Sequence, residues 1–242
     1  MSRHLTIDFG NTQAKAAIFD GEKCLDLYYG IDHMQLIKLA NSDLDAKIMM
    51  CSVSQEATHI VNLIENKARI LKLDFKTSIP VQNGYGSPET LGMDRLAAVI
   101  GANYLYPNVD CLVIDAGTCL TFDFIDSNAK YLGGSISLGI QMRFKALSHF
   151  TSKLPFVGSK TDESFDLVGK NTQEAILSGV LNGIVSEVEA IIMNYKARYA
   201  NINALLCGGD HSFFESRIKH PIFAHPELVL LGLNRILLHN AN

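Results

Sequence analysis

Apolar and polar positions alternate from the start of the chain, through Leu5, Ile7 and Phe9, and again from Ala14 onward. Period two is the mark of a strand with one face buried, and it predicts strands over 5–8, 14–20, 23–29 and 47–53. The first two are joined by a tight turn at Gly10-Asn11-Thr12. The spacing then changes. Ser54 stands as an N-cap before Ala57, Ile60, Ile64, Ala68 and Leu71, an i, i+3/i+4 stripe that predicts an amphipathic helix. A loop over 81–92, rich in Gly, Ser and Pro, leads into a second helix over 94–106, which Pro107 stops.

The same layout then recurs. A strand over 110–115 meets a glycine turn and returns over 119–126, so that Ile7-Asp8-Phe9-Gly10 is matched by Ile114-Asp115-Ala116-Gly117. Repetition inside equivalent strand-turn-strand units divides the chain into two related halves, 1–110 and 111–242. In the second half the pattern predicts a strand over 131–136 containing Gly133-Gly134, a helix over 139–150, and a long helix opened by Asn171 and Glu174 and running to 196. The long helix carries the stripe Ile176, Val180, Ile184, Val188 and Ile191, with Gly179 and Gly183 allowing close approach to a neighbour, in the core or in a dimer interface. A strand over 203–207 ends at Gly208-Gly209-Asp210, and Pro226 opens a final helix to 239.

Composition narrows the function classes. With 48% hydrophobic and 19% charged residues the chain folds around a core, and a net charge of −4 gives no basic footprint for nucleic acid or an anionic membrane. No basic and apolar leader opens the sequence and no apolar run approaches 18 residues, so a cytoplasmic protein without a membrane anchor is expected. The five cysteines include no CxxC pair and read as buried thiols with no assigned chemistry. The eight histidines show no HxxxH or HExxH spacing, and there is no GxSxG elbow.

Three places can carry chemistry. A carboxylate at a strand end followed by a glycine turn suits a phosphate and its Mg²⁺, since the turn's N–H groups face the anion while the carboxylate holds the metal through water. Segments 8–12 and 115–118 both fit, and Lys15 adds a point charge; each alone reads equally well as an ordinary hairpin turn. Tyr85, Pro88 and Gly92-Met93-Asp94-Arg95 form a loop-to-helix junction, either an N-cap Asp with an exposed Arg or, beside a triphosphate, a proton acceptor with a carboxylate clamp. Gly208-Gly209-Asp210 is either a plain turn or a surface bare enough for a base or ribose.

DFGNTQAK at 8–15, YGSPETLGMDR at 85–95, DAGTCLTFD at 115–123, GGSISLG at 133–139, GKNTQEAILSG at 169–179 and CGGD at 207–210 together resemble the type III pantothenate kinases, in order and spacing, over nearly the whole chain. Leu138 departs from the family's usual proline, which leaves that turn without a built-in stiffener. The resemblance implies an α/β protein of two ribonuclease H-like domains, each a mixed five-stranded sheet flanked by helices, in the actin-like ATPase architecture. It implies transfer of the ATP γ-phosphoryl group to the 4′-hydroxyl of (R)-pantothenate, the first step toward coenzyme A. By matching position, Asp8, Phe9, Gly10, Asn11, Thr12, Gln13, Ala14 and Lys15 bind the ATP phosphates, with Asp8 near Mg²⁺ through water. Thr118 contacts ATP, and Asp115 binds a monovalent cation, K⁺ or NH₄⁺. Tyr85, Gly92, Met93, Asp94, Arg95 and Thr172 contact pantothenate, Asp94 being the proton acceptor. A homodimer is implied as well. A kinase-like accessory transcriptional regulator, or a kinase of sugars or short acids, is the alternative.

Overall fold

The computed structural model describes residues 3–10, 14–43, 45–52, 56–65, 67–158 and 165–241. It comprises two compact units: Met1–Val109 with Phe124–Gly133 and Glu227–Asn242, and Asp110–Asp123 with Gly134–Pro226. In the first unit, strands β1 (Arg3–Phe9), β2 (Ala14–Asp20), β3 (Lys23–Ile31), β4 (Lys47–Ser52) and β5 (Ile70–Lys72) form one sheet in the order β3-β2-β1-β4-β5. The first three are antiparallel, and β1-β4 and β4-β5 are parallel. Hairpins can join the former, whereas each parallel pair needs a crossover. Helix α1 (His33–Asn41) supplies the first crossover and α2 (Glu56–Leu63) the second.

Two assignments change here. The stripe read through Leu71 ends at Leu63, where the Glu65 N–H turns aside to the Asn41 side chain at 3.0 Å. Leu71 instead lies in β5, paired with Met49, because β4 offers a sheet edge that satisfies its backbone better than a further helical turn. Ser54 and Val53 lie outside the described residues. Helix α1, in a stretch without clear periodicity, is announced by a local signal, the capping box in which Asp32 and Gln35 satisfy one another's backbone N–H groups.

After β6 (Gln82–Asn83) and α3 (Met93–Leu105), the chain enters β7 (Cys111–Ala116), β8 (Cys119–Ile125) and β9 (Lys130–Leu138). Then follow α4 (Ile140–Phe150), α5 (Thr172–Arg198), β10 (Asn203–Cys207), α6 (His211–Glu215), β11 (Phe223–Ala224) and α7 (Leu228–His239). The second sheet runs β11-β10-β7-β8-β9, with β6 added in parallel against Lys130 and Tyr131. Read as β9-β8-β7-β10-β11, this is the strand order of the first sheet, so the repeated ID-x-G sequence marks a repeated topology. Pro226 precedes α7, whose N-cap is Glu227.

Helix α5 keeps the predicted stripe through Val188, but Ile192 rather than Ile191 is fully buried at its far end. Gly179 and Gly183 have nothing within 4 Å of a would-be Cβ, so neither lets a neighbour of this chain approach closely. By length and composition α5 is long and apolar enough to cross a membrane, contrary to the expectation from the sequence. Its apolar stripe is nevertheless packed, and the helix also carries Glu187, paired with Arg143, and Glu189, which accepts from the Lys219 N–H.

Period two sets the two faces of the first sheet. Leu5, Ile7, Phe9, Ala14, Ala16, Ile48 and Met50 pack against Leu36 and Ala40 of α1 and Ile60 of α2. His4, Thr6 and Asp8 point the opposite way. On that side lie α3 and α7, which pack on each other through glycine: a Cβ on Gly232 would collide with the Ala97 carbonyl, and one on Gly101 with the Leu228 carbonyl. His4, 1% exposed, is held there by the Asn234 side chain at 3.2 Å. Gly232→Ala is therefore expected to destabilise the fold by roughly 1–3 kcal/mol through overpacking of the two helices, read as a lower midpoint in urea or thermal unfolding. An unchanged midpoint would show that the helices part freely.

Candidate active site

Asp8 sits one residue from the end of β1, the central strand of the first sheet, directly opposite Lys15 on β2 and beside Cys51 on β4. In-register neighbours share a face, so the three side chains form a row across the sheet. The Cys51 thiol donates to Asp8 Oδ1 at 3.3 Å, and Lys15 Nζ lies 6.0 Å from the Tyr29 ring centre. Burial first, and then the charge of Asp94, push the Asp8 carboxyl up to about 6 against the lowering effects of the thiol and of Lys15. Burial, with the charges of Asp8 and Asp94, holds the Cys51 thiol well above its ordinary value, so it remains protonated and able to donate.

That environment tests the fit of a metal. A desolvated carboxylate with a second carboxylate in its field is only partly compensated by Lys15, and a divalent cation held through water would supply the rest. The residues fit Mg²⁺ in that sense. Phe9 is buried in the core and Ala14 packs there too, so what they can offer a phosphate is backbone. Gly10 follows the strand, and Asn11, Thr12 and Gln13 lie outside the described residues.

Asp94 enters from α3. The N-cap is Gly92, not Asp94, and Asp94 occupies the first turn with Oδ1 accepting the Arg95 N–H at 2.8 Å. Glycine at 92 leaves the Asp94 carboxylate in place, because a Cβ there would lie 2.5 Å from Asp94 Oδ1 and push it aside. Met93 is half-buried. Arg95 is not the exposed cation of a plain cap: it is 7% exposed and its guanidinium lies 5.7 Å from the Tyr85 ring centre. Tyr85 in turn stacks on the fully buried Tyr131 at 6.0 Å, and Gly133, at φ +96°, keeps a side chain clear of its ring. An arginine buried beside aromatic rings suits a carboxylate-bearing organic substrate.

In the second unit, Asp115 occupies the position in β7 that Asp8 holds in β1. Gly117 N–H closes the turn onto the Cys119 carbonyl at 3.0 Å, leaving Thr118 exposed. Gly208, at φ +93°, presses on the Ala116 carbonyl, where a Cβ would also meet Asp115 Oδ1, and the Asp210 N–H donates to that same carbonyl at 2.9 Å. Gly139 packs on the carbonyls of Gly117 and Thr118. The loops after β7, β9 and β10 thus converge backbone to backbone around Asp115. Thr172 is exposed at the first turn of α5, a different element, beside the Asn171 cap. At Leu138, Arg143 ties down the turn: its Nε donates to the Leu138 carbonyl at 2.9 Å while its Nη2 donates to Ser137 and Glu187. An apolar groove of about 720 Å³ along α4, lined by Leu138, Met142 and Phe150, contains none of the predicted site residues.

The sequence profile of the type III pantothenate kinases matches residues 4–194. A type III pantothenate kinase of Phocaeicola vulgatus is 42% identical over 249 residues, covering 98% of both chains. The chain belongs to the type III pantothenate kinase family. Among solved structures, it is similar to a conserved Campylobacter jejuni protein assigned by its name to the Baf family of transcriptional activators, with a TM-score of 0.64, 25% identity and 98% of both chains covered. A ROK family protein of Streptococcus pneumoniae shares the fold, with a TM-score of 0.53, 13% identity and 98% coverage of both chains. Together with the paired sheet orders, this establishes a mixed-sheet α/β fold shared with these structures.

Three residues of this pantothenate kinase family member escape a reading by motif: Cys51, Tyr131 and Arg143. Cys51 lies in the strand predicted over 47–53, but its pairing with Asp8 is known only from the sheet register.

The raised Asp8 carboxyl has a stability consequence. Its folded pKa of about 6 exceeds the ordinary 3.8, so between these values the folded state binds the extra proton and stability falls as pH rises through that window. Asp8→Asn is expected to be more stable than wild type above pH 6, by up to about 3 kcal/mol, with the difference vanishing toward pH 4. Urea unfolding at both pH values measures it; equal stability at pH 8 would mean the carboxylate is well solvated.

Proposed function

We propose that the protein is an ATP-dependent pantothenate kinase, transferring the γ-phosphoryl group of ATP to the 4′-hydroxyl of (R)-pantothenate, the first step of coenzyme A biosynthesis. The observation that carries this reading is the placement of Asp94 within the electrostatic field of Asp8, beside a buried Arg95 and the Tyr85 platform. The names and near-complete coverage of the curated relatives support the same substrate.

Residues 8–15 and Thr118 bind ATP in this reading, with Asp8 facing the water shell of Mg²⁺, whose charge supplies neutralisation of the phosphates. Tyr85, Gly92, Met93, Arg95 and Thr172 receive pantothenate, Arg95 clamping its carboxylate. Asp94 orients the 4′-hydroxyl. As the bond from the γ-phosphorus to the β–γ bridging oxygen breaks and the bond to the 4′-oxygen forms, the hydroxyl proton passes to Asp94 and ADP leaves. A loose transition state places little demand on base strength, so alignment is the main contribution of this carboxylate. Asp115, gripped by the glycine turns of the second unit, holds the monovalent cation, K⁺ or NH₄⁺. The division at residue 110 and a cytoplasmic location belong to the same reading.

A homodimer is supported by the apolar surface of the second unit, where Phe150 is 82% and Leu167 80% exposed, and by the open Gly179 and Gly183 of α5. The regulator reading draws on the name of the Campylobacter jejuni structure, but the retained Asp8, Lys15, Asp94 and Arg95 favour turnover.

A coupled ADP-release assay with MgATP and pantothenate, run in potassium and in sodium, tests the function. Pantothenate-dependent turnover that requires potassium is the expected outcome; none in either salt, with folded protein, would overturn it. Asp94→Asn is expected to lower kcat by about 10²-fold or more, far more than it changes the MgATP dissociation constant. Wild-type turnover in that variant would remove Asp94 as proton acceptor. Light scattering is expected to give twice the chain mass of 26.6 kDa.

A further inference from the structure

Cys51 is 1% exposed, sits in register with Asp8 across the parallel β1–β4 pair, and aims its thiol at one carboxylate oxygen. The three residues before it in β4, Ile48, Met49 and Met50, are apolar and buried, and Cys51 is the β4 residue in register with the carboxylate. An aspartate's terminal torsion is broad and two-fold, and a row of strands does not fix it. A donor on the neighbouring strand does.

We propose that Cys51 is a positioning residue for the metal-nucleotide complex: its thiol holds the Asp8 carboxylate by Oδ1, committing that oxygen to the sheet and leaving Oδ2 for the water shell of the metal. This rests on the proposed role of Asp8. A thiol suits the task because it is a weak donor at long range, which restrains rotation while withdrawing little of the negative charge that the metal needs. An ammonium would compete more strongly for the same charge. Cys51 touches neither nucleotide nor acceptor in this arrangement and acts through Asp8 alone.

The test uses the full-length protein and three variants: Cys51→Ser, which keeps a donor, Cys51→Ala, which removes it, and Cys51→Val, which removes it while filling the space. Binding of Mn²⁺·ATP is followed by electron paramagnetic resonance without pantothenate, and thermal midpoints report folding. Ala and Val are expected to weaken Mn²⁺·ATP binding by roughly 3- to 10-fold, the size of one hydrogen bond, and Ser to restore it; KM for pantothenate stays unchanged in all three. Wild-type affinity in Val, or Ser as weak as Ala at equal folded fraction, would overturn the proposal. If Ala is too unstable to measure, the Val and Ser pair decides. Because the binding is read without acceptor, a protein that bound Mn²⁺·ATP in the expected order yet failed to phosphorylate pantothenate would refute the substrate and leave Cys51 in place.

Discussion

The first unit is organised around an electrostatic cost: a carboxylate held on the central strand of a sheet, desolvated, with another carboxylate in its field. Protein folding alone gives no reason to keep Asp8 there, since burial raises its carboxyl to about 6 and the fold would be better served by a neutral side chain. The surroundings restrain the group without neutralising it. Cys51 gives one weak hydrogen bond and Lys15 acts only as a charge at a distance. In the proposed reading a cation held through water offsets this deficit, and stability given up at a functional position is a common exchange in enzymes.

The second constraint is steric. The turns that surround Asp115 approach backbone to backbone, so glycine stands at 139 and 208 where any Cβ would strike a carbonyl. The same principle places Gly92 beside Asp94, and Gly101 against Gly232 in the helix pair that covers the sheet face carrying Asp8. These glycines link chemistry to packing: each removes a side chain so that a carboxylate, or the helix that carries it, can come near. Where a stiffener is missing from the sequence, as at Leu138, a side-chain network around Arg143 ties down the turn.

Much of the fold was legible from periodicity because strands half-buried in a sheet alternate and long capped helices do not. Strands 14–20 and 203–207 begin and end where the pattern put them, and Asn171 caps α5 as its sequence suggests. Local pattern misled where two elements share one stripe. Residues 57–71 keep helical spacing throughout, yet the chain leaves the helix after Leu63 because β4 offers an edge, a fact about another part of the chain.

The sequence by itself determined which residue types stand at the turns: the paired ID-x-G motifs, the GMDR junction and the GGD strand end, each legible because it is contiguous. Only the tertiary structure decided what those residues experience. Burial of Arg95, the Tyr85–Tyr131 stack and the thiol on Asp8 join residues distant in sequence. Desolvation and hydrogen bonding depend on distances in space, and a one-dimensional pattern carries those only where the chain happens to be its own neighbour.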